Sequence, residues 1–371
     1  MLFSHCYPLA GTGQPDPFAR WVGVDTLGGV GVAIFFVLSG YLVTESWVRA
    51  PAVSTFVWRR VRRIYPALTV CVFVCAFLLG PLVTDLDIGA YLRHPQTYLY
   101  LETASAWWIN YALPGVFTGN PVSNVINGSL WSLTYEINCY LVLLVVGLLP
   151  LAIRFKVLLA AIALLVLVLS RPENLVASPF AQHFGFDYYH GKLGLMFAIG
   201  AVFSTWRERL SPKWWHGGLG MLLLLALPES SIKTAAYALS MSIMTLGLAT
   251  HSTWRLALPE RIGDWSYGFY LYGFPIQQLL AFHGVHKSAG LAGYVAVCTV
   301  CTMAAAAASR RDVPGRTLKP PPGSRALTSL LDPRLADCRR IFLHDFALEV
   351  SIGFHDFERE ARQRVLINVD V

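Results

Sequence analysis

The segment Phe35–Leu42 reads FFVLSGYL and lies within an apolar run that extends from Val30 to Val48. A second run, Leu68–Leu79, is almost wholly aliphatic and follows the first after a basic segment. Such runs are typical of membrane-spanning helices, which need about 20 predominantly apolar residues to cross the hydrocarbon core. The two runs therefore predict neighbouring helices within a bilayer.

The composition of the whole chain also indicates a membrane protein. Of its 371 residues, 55% are hydrophobic and 14% are charged, and the mean hydropathy is +0.51. This leaves too little polar surface for an ordinary soluble globular protein. The net charge of +7 does not indicate a nucleic-acid partner, because the basic residues are spread through short loops rather than along one soluble face.

Apolar segments that approach the length of a bilayer crossing recur along the chain. They lie near residues 27–48, 64–82, 129–151, 157–170, 191–205, 216–228, 235–250, 265–283 and 289–308. The pattern predicts an all-α fold, a polytopic transmembrane helix bundle with about nine or ten spans. Residues 83–127 are rich in aromatic side chains and are interpreted as an interfacial loop.

The distribution of lysine and arginine predicts the orientation of this bundle. If successive loops alternate sides, most of the basic residues fall on one side, together with the four arginines Arg59, Arg60, Arg62 and Arg63. Cytoplasmic loops carry an excess of such residues, so this side is expected to face the cytoplasm. We therefore expect a multi-pass protein of the inner (plasma) membrane.

The seven cysteines do not indicate a disulfide framework or a metal site. They lie mostly inside apolar segments. Their spacing provides neither a pairing with histidines nor a second CxxC motif.

The arginine cluster has two interpretations. A dense guanidinium cluster at a membrane face is either a topology anchor or a site for an anionic ligand, because arginine stays charged and forms paired hydrogen bonds with phosphate oxygens. Both roles can hold at once.

Four motifs in matching order resemble those of the acyltransferase-3 family of integral membrane O-acyltransferases. They are FFVLSGYL at 35–42, RRVRRIYPAL at 59–68, SLWSLTYE at 129–136 and SYGFYLYGFPIQQ at 266–278. The resemblance covers roughly residues 1–305. It implies an enzyme that transfers an acyl group other than an aminoacyl group, commonly acetyl from cytoplasmic acetyl-CoA, to hydroxyls of surface polysaccharides or other glycans. It implies membrane lipid, acyl-CoA and a glycan acceptor as partners, with no permanently bound cofactor.

The resemblance also places a catalytic histidine at the end of the first helix, and His5 matches it. An imidazole can accept a hydroxyl proton at neutral pH, as acyl transfer requires. The alternative is a histidine at a helix end that bonds only to backbone or water. The family pattern has an arginine eleven residues earlier, so we expect the first helix to begin upstream of Met1.

The RxxR pattern of the family falls on Arg60 and Arg63. The resemblance implies that these two residues hold the phosphate groups of the CoA donor, while Arg59 and Arg62 are interpreted as anchors.

Glu136 is predicted to be a second catalytic residue. It lies near the start of an apolar helix, where an unpaired carboxylate is costly, so it is expected to orient His5 or to pair with the RxxR arginines. The alternative is an interfacial carboxylate stabilised by the helix dipole and by water. Trp131, Tyr267 and Tyr270 are left outside the predicted site, because aromatic residues are common at bilayer interfaces.

The composition changes near residue 309. Three domains are predicted: a transmembrane acyltransferase domain at 1–309, a basic, proline-rich linker at 310–339, and a fragment at 340–371 with strand-like runs at 347–352 and 365–371. The fragment resembles the opening strands of dihydroneopterin aldolase, and Glu358 matches a pterin-site glutamate of that family. The resemblance places the catalytic lysine and tyrosine beyond Val371, so aldolase activity is not expected.

Two alternatives to a working acyltransferase remain open from the sequence. One is a transporter or flippase of lipid-linked glycans, in which the arginines would bind a pyrophosphate headgroup. That interpretation predicts internal repeats and interrupted helices near mid-bilayer, and the sequence contains no convincing repeat. The other is a non-catalytic remnant from a rearranged reading frame.

Overall fold

The computed structural model describes residues 1–14, 16–170, 188–228, 230–250, 265–309, 342–350 and 363–370. Contacts divide the chain into two units, Met1–Arg310 and Arg311–Val371. The described elements of the first unit are helical.

In chain order the α-helices are α1 (Leu2–Leu9), α2 (Pro17–Val22), α3 (Leu27–Arg49), α4 (Val53–Val74), α5 (Gly80–Val83), α6 (Ile88–Arg93), α7 (Pro95–Leu99), α8 (Trp131–Leu148), α9 (Ile153–Ser170), α10 (Tyr188–Thr205), α11 (Trp214–Leu223), α12 (Ser231–Ala249), α13 (Ser266–Phe282), α14 (Val285–Ser288) and α15 (Gly290–Ala308). A π-helical turn, Cys75–Leu79, joins α4 to α5. Short 3-10 helices occupy Tyr100–Ser105, Gly128–Leu130 and Leu224–Ala226.

Among the described residues, six helical segments are long and apolar enough to cross a membrane, judged by length and composition. They are Leu27–Arg49, Val53–Val83, Gly128–Leu148, Ile153–Ser170, Ser231–Ala249 and Gly290–Ala308. The other three predicted spans also form helices, α10, α11 and α13. Of these, α11 is about 15 Å long, roughly half the hydrocarbon thickness. The predicted all-α polytopic bundle is confirmed. Among the described residues, six of the nine predicted segments are both long enough and apolar enough to cross a membrane.

The arginine cluster lies on a helix and not in a connecting loop. Helix α4 begins at Val53, well before the predicted start of this span near residue 64. The helix therefore fixes the angular position of each guanidinium stem. Arg60 and Arg63 are three residues apart and share one face of α4.

Helices α3 and α10 approach each other closely through two glycines. A Cβ atom on Gly40 would lie 1.9 Å from the carbonyl oxygen of Phe197, and one on Gly200 would lie 2.2 Å from that of Val37. Small residues allow such backbone contact between membrane helices. The glycine of the FFVLSGYL motif is therefore required for packing.

Replacement of Gly40 by alanine is expected to lower the free energy of unfolding by about 1–3 kcal/mol, because the added methyl group must displace the backbone of α10. Circular dichroism during SDS titration of the detergent-solubilised protein measures this. The matched control is Gly218→Ala on α11, where an added Cβ meets no atom within 4 Å and alanine favours the helix. Equal losses in both variants would contradict the packing role of Gly40.

Helix α13 continues through Pro275, which has no N–H to donate to the carbonyl of Leu271. That carbonyl instead accepts a hydrogen bond from Nδ2 of Asn127 at 2.9 Å. Asn127 belongs to the loop before α8. Gln278 of α13 also binds this loop, since its Nε2 donates to the carbonyls of Val122 and Val125 at 2.8 and 2.6 Å. Side chains thus satisfy the backbone groups of the loop and of the interrupted helix, as an apolar surrounding requires.

In the second unit, strands β1 (Phe342–Val350) and β2 (Gln363–Asp370) pair antiparallel, with Leu348 opposite Val365. They overlap the two strand-like runs predicted from the sequence. The predicted linker and the turn that carries Glu358 lie outside the described residues. The resemblance to dihydroneopterin aldolase stays a prediction.

Candidate active site

His5 lies on the short helix α1, which α13 holds in place. Nε2 of Gln277 donates to the carbonyl of Leu2 at 2.8 Å and lies 2.9 Å from Sγ of Cys6. The ring of Phe274 meets the imidazole of His5 edge to face, with centroids 5.4 Å apart. Contacts of α13 with Leu2, with Cys6 and with the His5 ring itself therefore fix the position of His5.

Asp16 fixes the connection between α1 and α3. Its carboxylate accepts hydrogen bonds from the Ser4 hydroxyl, from the N–H of Ala19 at 2.9 Å and from the N–H of Leu27 at 2.8 Å. Burial alone would raise the pKa of Asp16, but these hydrogen bonds outweigh burial and hold the pKa below its ordinary value. The resulting stabilisation is present above the unfolded-state pKa and is lost as the pH falls through the folded-state pKa.

A cavity of about 290 Å³ opens beside His5. Its wall includes Asp25 and Thr26 at the start of α3, Trp131 at the start of α8 and Tyr189 at the start of α10. Residues of α1, α2 and α3 thus meet α8 and α10, which lie much further along the chain, at this cavity. An imidazole beside a cavity with one carboxylate and two aromatic rings is suited to a proton transfer on a bound small molecule.

Glu136 lies on α8 and is buried, with 6% of its surface exposed. It accepts a hydrogen bond from the hydroxyl of Tyr140, and that hydroxyl lies 3.1 Å from Oγ of Ser39. Arg63 and Arg60 both act electrostatically on the Glu136 carboxylate. Within the described part of the chain, Glu136 forms neither a direct ion pair with these arginines nor a hydrogen bond with His5.

Arg60 is held between aromatic rings. Its guanidinium lies 5.4 Å from the ring centroid of Tyr140 and 5.5 Å from that of Phe56, and its Nη2 donates to Oγ of Ser46 at 3.3 Å. Nε of Arg60 is buried and finds no hydrogen-bond partner among the described residues. An oriented guanidinium with an unused donor is suited to an anionic group.

Arg59 shares the Ser46 hydroxyl with Arg60, whereas Arg62 and Arg63 are exposed. Arg59 donates from Nη1 to Oγ of Ser46 at 2.9 Å. Arg62 is exposed, and its guanidinium lies 6.0 Å from the ring centroid of Trp58, which is itself exposed. A tryptophan and an arginine together at a helix surface are typical of an interfacial anchor. Arg63 is also exposed but acts on Glu136.

The structure brings two tyrosines to the region between α4 and α8 that the sequence interpretation left out. The hydroxyl of Tyr267 donates to the carbonyl of Ile64 at 3.0 Å, and the hydroxyl of Tyr270 lies 3.1 Å from Oγ of Ser132. Their rings stack with centroids 6.2 Å apart. The three-residue spacing of the two tyrosines, which places them on one helix face, is the signal in the sequence that could have identified them.

A comparison with protein-family models matches residues 1–310 to the acyltransferase-3 model, described as an acyltransferase domain. The chain belongs to the acyltransferase-3 family. It is similar to the O-acetyl transferase of Shigella phage Sf6, with 29% identity over 76% of this chain and 81% of that protein. It is also similar to Nodulation protein 10 of Rhizobium leguminosarum bv. viciae, with 30% identity over 76% of this chain and 80% of that protein. No solved structure gives a significant match.

Membership of the acyltransferase-3 family identifies this multi-pass membrane protein as an O-acyltransferase, with an acyl donor and an acceptor as substrates. Family membership therefore favours the acyltransferase over the transporter interpretation. Helix α8 connects the two parts of the candidate site of the acyltransferase. Trp131 lies at the cavity beside His5, and Tyr140 lies nine residues further on, about 14 Å along the helix axis, beside Arg60.

Proposed function

We propose that this acyltransferase moves an acetyl group from acetyl-CoA, bound at the cytoplasmic face of the inner (plasma) membrane, to a hydroxyl of a cell-surface or lipid-linked glycan. The observation that carries the proposal is the separation of the two parts of the site along α8. The arginines, which meet α8 near its middle at Tyr140, suit the phosphates of the donor, and the cavity beside His5 at the start of α8 suits the hydroxyl of the acceptor.

His5 is the general base in this proposal. One nitrogen of the imidazole takes the proton of the acceptor hydroxyl while the hydroxyl oxygen attacks the thioester carbonyl. The carbon–sulfur bond then breaks, and the proton passes from the imidazolium to the departing thiolate. The products are an O-acetyl ester and CoA with a free thiol.

Arg60 and Arg63 hold the phosphate groups of the donor. The orientation of the Arg60 guanidinium, held by Ser46 and by the rings of Phe56 and Tyr140, supports this role, because an oriented guanidinium forms paired hydrogen bonds with phosphate oxygens. Glu136 stays in the proposed site as a counter-charge that keeps both guanidinium groups near α8. Its neighbours support this function rather than the predicted alternative of orienting His5.

Transfer of radiolabelled acetyl from acetyl-CoA to glycan tests the proposal, in membranes that contain this chain. We expect label in the glycan fraction that mild alkali releases, because an O-acetyl ester is labile under these conditions. The control is membrane from the same host without the chain. Label that resists alkali, or equal label in both membranes, would contradict the proposal.

A further inference from the structure

We propose that the cavity beside His5 binds one neutral sugar ring of the glycan that accepts the acyl group. Trp131 and Tyr189 lie against the apolar face of this ring, and Asp25 accepts a hydrogen bond from one of its hydroxyls. This inference rests on the proposed function and specifies which part of the glycan the enzyme recognises.

The aromatic side of the cavity is built from two helices. The rings of Trp131 and Tyr189 lie 5.0 Å apart between centroids, and the ring of Tyr135 supports Trp131 from the next turn of α8 at 5.5 Å. Aromatic rings provide a large apolar surface at little cost in conformational entropy. One face of a pyranose ring carries mainly C–H groups, and this face complements such a surface.

Hydrogen bonds hold the Asp25 carboxylate in place and leave one of its hydrogen-bond acceptor positions unused by the described residues. Its Oδ2 accepts hydrogen bonds from Nζ of Lys192 at 2.6 Å and from the hydroxyl of Tyr237 at 3.1 Å. Its Oδ1 accepts from the N–H of Thr26 at 3.0 Å, the one donor to this atom among the described residues. Because each carboxylate oxygen has about two acceptor sites, Oδ1 keeps one for a ligand.

Gly29 makes room for this carboxylate. A Cβ atom at this position would lie 1.6 Å from Oδ1 of Asp25. Any other residue would therefore push the carboxylate away from its present place at the cavity wall.

Lys192 couples the carboxylate to the aromatic wall. It is 2% exposed, and its ammonium lies 5.2 Å from the ring centroid of Tyr237 and 5.8 Å from that of Tyr189. A buried charge within a membrane protein is costly and is typical of functional sites. We assign Lys192 as a positioning residue, because it does not line the cavity but contacts two residues that do.

The size and charge of the cavity favour a single neutral ring. A volume of about 290 Å³ is at the small end of ligand sites, which span about 300–1,000 Å³. The described side chains that line it include one carboxylate but no lysine or arginine. Asp25 is already paired with Lys192, so these side chains offer no unpaired cation to hold an anionic sugar.

Trp131→Ala is expected to raise the KM for the glycan acceptor at least tenfold and to leave the KM for acetyl-CoA within twofold of the wild type. Trp131→Phe, which keeps an aromatic face, is expected to recover most of the affinity for the acceptor. The matched control is Trp108→Ala, since Trp108 is exposed on the segment before α8. A rise in both KM values together would overturn the proposal.

Sugar binding by the purified full chain provides a second test that does not depend on catalysis. Saturation-transfer NMR with methyl glucoside, methyl galactoside, methyl mannoside and methyl rhamnoside, each alone, is expected to detect at least one ligand whose signal Trp131→Ala removes. Signals from none of the four, or signals that survive in Trp131→Ala, would overturn the subsite. Binding without acetyl transfer would instead contradict the proposed function and leave the sugar site standing.

The roles of Asp25 and Lys192 are tested together in one double variant, because Lys192→Met alone leaves Asp25 buried without its cation. The double variant Asp25→Asn, Lys192→Met removes both charges and is expected to fold, as followed by thermal unfolding. It is expected to show the acceptor KM defect of Trp131→Ala. A folded double variant with the wild-type acceptor KM would exclude Asp25 and Lys192 from acceptor binding.

Discussion

His5→Ala is expected to lower kcat for acetyl transfer by about 100- to 10,000-fold, the range that positioned general bases contribute. The KM for acetyl-CoA is expected to stay near the wild-type value, because His5 lies at the cavity at the start of α8 and Arg60 meets this helix nine residues further on, at Tyr140. Steady-state transfer of radiolabelled acetyl, with each substrate varied in turn, measures both quantities.

A matched histidine and a folding measurement accompany this variant. His283→Gln changes an exposed histidine that follows α13 and is expected to retain wild-type kcat. The unfolding temperature of His5→Ala is expected to lie within about 4 °C of the wild type, because the variant loses the edge-to-face contact with Phe274, worth about 1 kcal/mol. A folded His5→Ala protein with more than one third of the wild-type kcat would exclude His5 as the general base.

The double variant Arg60→Gln, Arg63→Gln is expected to lower kcat/KM for acetyl-CoA by about 100-fold or more. A hydrogen bond to a charged group contributes about 1.5–3 kcal/mol, and the variant loses at least two such contacts with phosphate oxygens. The loss is expected mainly in the KM for the donor. Initial rates over a range of acetyl-CoA concentrations measure it.

A donor without phosphates and a nearby arginine provide the controls. Acetyl-pantetheine carries the same thioester but lacks the nucleotide and its phosphates, so its kcat/KM is expected to be similar in the wild type and the double variant. Arg62→Gln removes the guanidinium beside the exposed Trp58 and is expected to retain wild-type kinetics with acetyl-CoA. An equal loss with both donors would exclude phosphate binding by Arg60 and Arg63.

The helices were predictable because hydropathy is a property of short segments. Each predicted apolar segment coincides with a helix among the described residues, and the FFVLSGYL segment lies within α3. The start of α4 was missed because Val53–Arg63 is too polar for a hydropathy pattern to include, although it is helical. The location of the arginines on a helix face therefore required the structure.

The polar partners were not predictable from the sequence. Nothing near Lys192 in the sequence indicates its partner, yet it is buried and pairs with Asp25, which lies 167 positions earlier in the chain. Asn127 carried no signal for its bond to the Leu271 carbonyl that Pro275 leaves free. Such pairs depend on which helix faces meet, and no local pattern encodes that.

By itself, the sequence determined the membrane character of this protein, most of its helices and the motifs that assign it to the acyltransferase-3 family. Residue type and spacing alone carry this information. Only the tertiary structure decided that Tyr140 lies between Glu136 and Arg60 and that His5, Asp25, Trp131 and Tyr189 surround one cavity. The physical reason is that a cavity forms where side chains from α1, α3, α8 and α10 meet, and close contacts such as Gly40 against Phe197 set the distances between such helices.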